Sequence, residues 1–230
     1  KKLHDYSFYN HSIFKEELKK KILKKGFFTR KKLIEIIMLS YAKAIKKNIK
    51  KVKYIFIDAT YGDYLDKINF DFKKYKSICL LRDPREQLLS LSKHFHDDNL
   101  SLYIHRKKNY LVHSILSQKE CYNLLEKLRK KNYYYLLIKY ENLTFHTKKN
   151  MQKVSRFLDI DFNKTLLKPT IFGKSSLAVS SFSKKPISGV SKKTTDRLQK
   201  YLTKNQIIQA DYIFRNYIDK YQNTIGFIIS

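Results

Sequence analysis

Three short apolar runs, each ending at a polar group, constrain this chain more than any other feature. They are KYIFID (53–58), SICLL (77–81, followed by Arg82) and YYYLLIK (133–139). Runs of this length and composition read as buried strands. The stretches around them carry apolar residues at helical spacing. Residues 12–25 place Ile13, Phe14, Leu18, Ile22 and Leu23 on one side and stop at Gly26. Residues 30–50 do the same with Leu33, Ile36, Ile37, Tyr41 and Ala44. Further helices are predicted over 85–95, with Pro84 at the start where its missing N–H costs nothing, and over 107–131, 147–158 and about 204–221. Strands separated by helices predict an α/β fold, a parallel sheet flanked by helices. Ligands of such sheets bind beyond the carboxyl ends of the strands, which directs attention to Asp58, Thr60, Arg82 and the residues after Lys139.

Composition narrows the class. A chain of 230 residues with 43% hydrophobic and 14% aromatic residues can bury a sizeable core and is not disordered over most of its length. No apolar run approaches the roughly 18 residues of a membrane-spanning helix. Cys79 and Cys121 allow at most one disulfide, and no zinc-binding spacing occurs. No signal-peptide pattern opens the chain, and a cytoplasmic location is the expectation. Neither an internal repeat nor a linker is visible, so one domain over 1–230 is expected. It comprises a helical part (1–50), an α/β core (51–168), an irregular segment (169–203) and a C-terminal helix with its tail (204–230). The irregular stretch is rich in Ser and Lys, and a loop that long in a compact domain is either functional or mobile.

The charge balance is 49 basic against 20 acidic residues, a net +29. Such an excess suggests polyanion partners. Yet only 8 of the basic residues are arginine and 41 are lysine. With many Ile, Asn and Tyr and no Trp, this is the bias of an AT-rich coding sequence. Nucleic-acid surfaces favour the arginine fork. The excess is therefore read as a solvated lysine surface, with no specific nucleic-acid partner.

The most informative segment is SICLLRDPREQLLSLSKHF (77–95). A strand delivers Arg82 to its carboxyl end, Asp83-Pro84 turns the chain, and Ser90 lies in the first two turns of the following helix. An arginine and a hydroxyl there can contact one phosphate, aided by free helix N–H groups and the dipole. The competing reading pairs Arg82 with Asp83 or Glu86 and leaves Ser90 as an ordinary helix-face residue.

Arg82-Asp83-Pro84-Arg85 with Ser90 eight residues after the arginine resembles the 3′-phosphate-binding motif of sulfotransferases. These enzymes use PAPS (3′-phosphoadenosine 5′-phosphosulfate) as donor. IKYENL (138–143), then a helix and RFLDIDF (156–162), is similar to the RYEDL…FLGL stretch of that family, and PTIFGKSS (169–176) to the Pro-Thr…Gly…Ser-Ser segment of many carbohydrate sulfotransferases. The three matches keep the family's order and span about residues 53–185. The resemblance implies a P-loop-NTPase-like sulfotransferase architecture, PAPS as sulfuryl donor, no metal, and a hydroxyl acceptor of carbohydrate type. It also implies a loop for the 5′-phosphosulfate, of Pro-Lys/Arg-Ser-Gly-Thr type, upstream of these motifs. Nothing in residues 1–50 resembles that loop, and because the chain starts at Lys1 the loop is expected before it. The family's Glu-Lys-Thr-Pro-like segment corresponds to Asp58-Ala59-Thr60-Tyr61, without the lysine.

The resemblance places the general base at Asp58, at the end of the first strand. The alternative is that Asp58 caps its own turn. His94 and His96 are the rival bases. The pair His94-x-His96 beside Asp97 and Asp98 is not expected to hold a metal, since residues two apart do not share a helix face. Glu141 is read as a structural strand-end residue paired with a basic neighbour. Tyr133–Tyr135 is read as strand core. Lys184 and Lys185 are candidate contacts to the donor's 3′-phosphate. Two rival functions remain: a degenerate, non-catalytic domain that binds a polyanion through its lysines, and a P-loop kinase or NTPase. The latter needs a full Gly-x-x-x-x-Gly-Lys-Ser/Thr loop, which is absent: Gly173-Lys174-Ser175 has Lys168 where the first glycine would stand.

Overall fold

The computed structural model describes residues 9–23, 27–48, 53–54, 56, 71–72, 75–94, 108–130, 134–171, 174–175, 177–180, 182–191 and 197–224, with backbone alone at 94, 108–114, 171, 174–180 and 183–188 where described. They fall into two compact units, Lys1–Tyr75 and Lys76–Ser230.

The first unit contains a helix pair, α1 (His11–Leu23) and α2 (Arg30–Ala44), close to the two predicted helices. Asn10 Oδ1 accepts the Ile13 N–H at the start of α1, and Thr29 caps α2 by accepting from Lys32. Ile36, Ser40, Ala42 and Ala44 form the buried face of α2. The pair is fixed electrostatically by Glu17, a buried carboxylate on α1. It reaches Lys43 of α2 at 2.6 Å and Lys21 of its own helix at 3.1 Å. The strand predicted over 53–58 is not found where the unit is described. Lys53, Tyr54 and Phe56 are outside any strand, and Phe56 is 70% exposed rather than packed in a core.

The second unit is built on a parallel pair, β1 (Ser77–Leu81) and β2 (Tyr135–Lys139), in the register Ser77↔Tyr135 to Leu81↔Lys139. Between them come α3 (Pro84–His94) and α4 (Lys108–Lys130). Cys79, Leu81, Tyr135 and Leu137 share one face of the pair and pack with Tyr122, Leu125 and Leu128 of α4. Tyr135 is core as expected, whereas Tyr134 is exposed and its ring stacks on Phe157. After β2 the chain forms α5 (Tyr140–Phe145), α6 (Thr147–Leu158) and a 3-10 turn (Lys164–Leu167). Helix α6 ends with Asp159 in the left-handed conformation (φ 53), where the Ile160 N–H reaches back to the Ser155 carbonyl. This is the helix-ending geometry that glycine fits best, and it explains the glycine of the FLGL pattern that Asp159 replaces here.

Residues 170–188 are more regular than the sequence suggests. They form two short antiparallel pairs, β3 (Thr170–Ile171) with β4 (Lys174–Ser175), and β5 (Leu177–Ser180) with β6 (Ser183–Ser188). Antiparallel pairing needs only local turns and backbone hydrogen bonds, so a Ser/Lys-rich composition conceals it. Gly189 turns the chain out of β6 at φ +81. The short helix α7 (Leu198–Tyr201) then leads into α8 (Lys204–Asn223). Thr203 and Gln206 form a capping box on α8, and Phe214 and Ile218 of this helix pack with Leu88 of α3. Burying side chains of this size contributes about 1.5–3 kcal/mol each. Tyr217 touches both clusters and so joins α8 to the sheet side of the core.

The Glu17 contacts predict a pH-dependent helix pair. Hydrogen bonds from Lys43 and then Lys21 hold its carboxyl below the usual range. A lowered folded pKa stabilises the native state above the unfolded value of about 4.3, and that gain disappears as pH falls through the folded value. Glu17→Gln is expected to speed amide exchange in α1 and α2 at pH 7, with the difference from wild type shrinking below about pH 4. A pH-independent difference would assign the effect to packing.

Candidate functional site

The carboxyl ends of β1 and β2 carry a cluster of charged groups. Asp83, two residues past β1, caps α3: its Oδ1 accepts the Arg85 N–H at 2.9 Å, and its carbonyl accepts from Gln87. Pro84 takes the first helical position. Arg85 folds back on Asp83 (Nε–Oδ1 3.0 Å, Nη2–Oδ2 2.6 Å) and donates its remaining arm to Asp211 of α8 at 2.8 Å. The Arg85 guanidinium is held far into its charged form, first by the Asp83 hydrogen bonds. One expectation is corrected here. The cap amide of α3 is not free for an anion, because the Asp83 carboxylate already occupies it.

Glu141, just past β2, ties the two strand ends together. Its carboxylate accepts the Asp83 N–H at 3.3 Å and the Tyr221 hydroxyl of α8. Burial, then the Glu141 hydrogen bond, pushes the Tyr221 phenol up. Lys139 lies over the Tyr221 ring at 4.5 Å and donates to the Gln222 carbonyl at 3.4 Å, and burial lowers its pKa. Glu141 is thus structural, as expected. Its direct partners are a backbone amide and a phenol rather than a basic side chain.

Arg82 leaves β1 between two supports. Its guanidinium lies 4.8 Å from the centroid of the Tyr140 ring, and its Nη2 is 3.7 Å from Glu86 Oε2. The second distance is an ion pair, longer than a hydrogen bond. Arg82 Nε is buried without a hydrogen-bond partner, as is Glu86 Oε2. Glu86 is 4% exposed, and its other oxygen accepts the Arg197 N–H at 2.6 Å. Burial raises the Glu86 pKa, opposed by that backbone bond and by Arg82. The Arg197 guanidinium lies 4.0 Å from the Phe182 ring centroid. Burial lowers its pKa, and the like charge of Arg82 acts in the same direction. Two arginines and one carboxylate therefore meet at the first turn of α3, with Arg82 Nε left as an unused donor. That combination suits an anion.

Ser90 stands one helical turn beyond Glu86 and is half-buried. Of the other site residues singled out by sequence, Asp58 lies outside the described residues. His94 closes α3, and Lys184 and Lys185 lie in β6, all three with side chains outside the description. His96 is likewise outside it. The structure brings together Arg82 and Glu86, one of the two partners weighed for it. It adds Tyr140 and Arg197, which sequence alone did not single out. Tyr140 stood inside the quoted KYENL motif, but Arg197 carried no local signal.

Burial pushes the Cys79 and Cys121 thiols up to about 12 and about 11, so neither is a ready nucleophile. Among the described residues no group of three or more His, Cys, Asp or Glu is placed to hold a metal, and no helix is long and apolar enough to cross a membrane. A cleft of about 440 Å³ beside Phe145, His146, Thr147, Lys148, Lys149 and Gln152 contains none of the residues discussed above.

Ligands of open α/β sheets bind beyond the carboxyl ends of the strands, and the charged cluster of this unit lies there. The family model for the sulfotransferase domain matches residues 7–224, nearly the whole chain, and the protein belongs to the sulfotransferase family. No curated protein and no solved structure matches it.

The strand-end tie is open to test by denaturant unfolding of the full chain. Tyr221→Phe removes one donor and is expected to cost about 1 kcal/mol. Glu141→Ala leaves two groups unpaired and is expected to cost about 1–3 kcal/mol. Equal, negligible losses would show that the strand ends are held by packing alone.

Proposed function

We propose that the protein transfers the sulfuryl group of PAPS to a hydroxyl of a carbohydrate acceptor, with Arg82 and Ser90 holding the donor's 3′-phosphate. The observation that carries this reading is Arg82. Its guanidinium stands at a strand's carboxyl end, 22% exposed, steadied by Tyr140 and Glu86 but with its donors unfilled. Membership of the sulfotransferase family supports transfer of a sulfuryl group. PAPS, the carbohydrate acceptor and the P-loop-like architecture rest on the motifs Arg82-Asp83-Pro84, KYENL and PTIFGKSS. Lys184 and Lys185 are proposed as further contacts to the same phosphate, on a single domain that spans the chain.

The acceptor oxygen attacks sulfur as the bond from sulfur to the 5′-phosphate oxygen breaks. A sulfate ester and PAP, the desulfated nucleotide, are the products. Attacking and leaving oxygens lie in line and charge spreads over the peripheral oxygens, so positioning and cationic stabilisation supply most of the catalysis, as in phosphoryl transfer. The acceptor's proton goes to a base, and Asp58 is proposed for this role, with His94 as the next candidate.

Two measurements test this reading. By calorimetric titration, Arg82→Ala is expected to weaken PAP binding about tenfold or more, since a charge-assisted contact is worth about 1.5–3 kcal/mol. Adenosine 5′-phosphosulfate lacks the 3′-phosphate, and its binding should hardly change. Equal losses for both ligands would overturn the phosphate assignment. In sulfuryl-transfer assays Asp58→Asn, nearly isosteric, is expected to bind PAP normally and lose about 10²–10⁴ in rate. Near-normal turnover would move the base to His94. PAP binding without turnover in the wild-type protein would favour the non-catalytic alternative.

A further inference from the structure

Among the described residues, Glu86 is the buried carboxylate that touches both Arg82 and the start of α7. Its Oε1 accepts the backbone N–H of Arg197, and its Oε2 faces the Arg82 guanidinium at 3.7 Å. Both Glu86 Oε2 and Arg82 Nε are buried without a hydrogen-bond partner. On its other side Arg82 rests on the Tyr140 ring. The plane of the guanidinium is therefore set by an aromatic face from β2's end and a carboxylate from α3.

We propose that Glu86 is a positioning residue with two simultaneous tasks: it orients Arg82 toward the ligand, and it latches the start of α7, at Arg197, onto the first turn of α3. The inference rests on the reading of Arg82 as a phosphate ligand. Arg82 and Arg197 carry like charges, and Glu86 lies against both; without its charge they repel across a poorly solvated space. A phosphate arriving at Arg82 finds the guanidinium already oriented. Pre-ordering of this kind strengthens binding by removing the cost of fixing a long side chain.

A glutamine in place of Glu86 separates the two tasks. Its amide oxygen can keep the Arg197 N–H, but its NH2 then faces the guanidinium, donor against donor. An alanine removes both contacts. Further contacts hold α7, including Tyr201 of α7 beneath Lys93 of α3 and beside Phe182, so loss of one hydrogen bond is not expected to unfold it.

The test uses the full-length protein, with PAP and adenosine 5′-phosphosulfate as probes and amide-proton NMR exchange at Arg197 as an independent readout. Glu86→Gln is expected to keep the Arg197 amide protected, weaken PAP about tenfold or more, and leave adenosine 5′-phosphosulfate unchanged. Glu86→Ala is expected to weaken PAP at least as much and to speed Arg197 exchange at least about tenfold. Wild-type PAP affinity in Glu86→Gln overturns the orienting task, because a purely structural latch survives that change. Unchanged Arg197 exchange in Glu86→Ala overturns the latch. That second result is read without ligand, so it stands even if wild-type protein fails to bind PAP. Failure to bind would overturn the phosphate reading and, with it, the orienting task.

Discussion

The hydrogen bond from the Asp83 N–H to Glu141 fixes the point from which the candidate site is built. Parallel strands leave their last peptide groups without ladder partners, and a buried amide left unpaired is costly. Here a side chain from the end of β2 satisfies the amide at the end of β1. The same carboxylate receives the Tyr221 hydroxyl, which brings the end of α8 under the strand tips. Asp83 is thereby held through its backbone while its side chain caps α3, so strand end and helix start become one rigid corner. Arg82, one residue earlier, has its backbone position set by that corner. Its side chain then needs only Tyr140 and Glu86 to define its plane.

The corner shows how a charged site is kept from collapsing on itself. Arg85 is saturated by Asp83 and Asp211, and Asp83 has no charge left over for Arg82. Glu86 is the only carboxylate placed against Arg82 among the described residues, and it divides its oxygens between Arg82 and the Arg197 N–H. Had Asp83 paired with Arg82, the guanidinium would be neutralised by a second, more exposed carboxylate. The Asp-Pro-Arg order prevents this. A residue two positions into a helix can fold back onto its cap, and Arg85 does so.

Much of this was legible in the sequence because it is local. SICLL gave a strand with the expected boundaries, and Asp83-Pro84 gave the helix start, since both depend on composition and on one turn of backbone. The helices over 108–130, 147–158 and 204–223 followed from apolar periodicity. The antiparallel pairs of 170–188 did not, because their stability comes from backbone hydrogen bonds and their sequence is polar. The partnership of Glu86 with Arg197 joins residues 111 positions apart, and nothing in the neighbourhood of either signals the other. Glu141 was assigned the right kind of role, but its real partners were hidden for the same reason. One is an amide, which every residue but proline has, and the other is a tyrosine 80 residues away.

The base composition that hides function in the lysines also reveals it in the arginines. Of 49 basic residues only 8 are arginine, so where either residue would serve this chain carries lysine. Three of the eight, Arg82, Arg85 and Arg197, meet around one turn of α3. Arg85 is used in a way an ammonium cannot copy. Arg85 spends its fork on two carboxylates, two of its bonds falling on one of them. Arg82 lies over the Tyr140 ring, and Arg197 lies over that of Phe182. Delocalised, weakly hydrated and planar, guanidinium groups tolerate burial and stacking that a compact ammonium resists. A surface that merely needed positive charge would have no use for them. Their convergence beside a strand end sets this corner apart from the lysine-rich exterior.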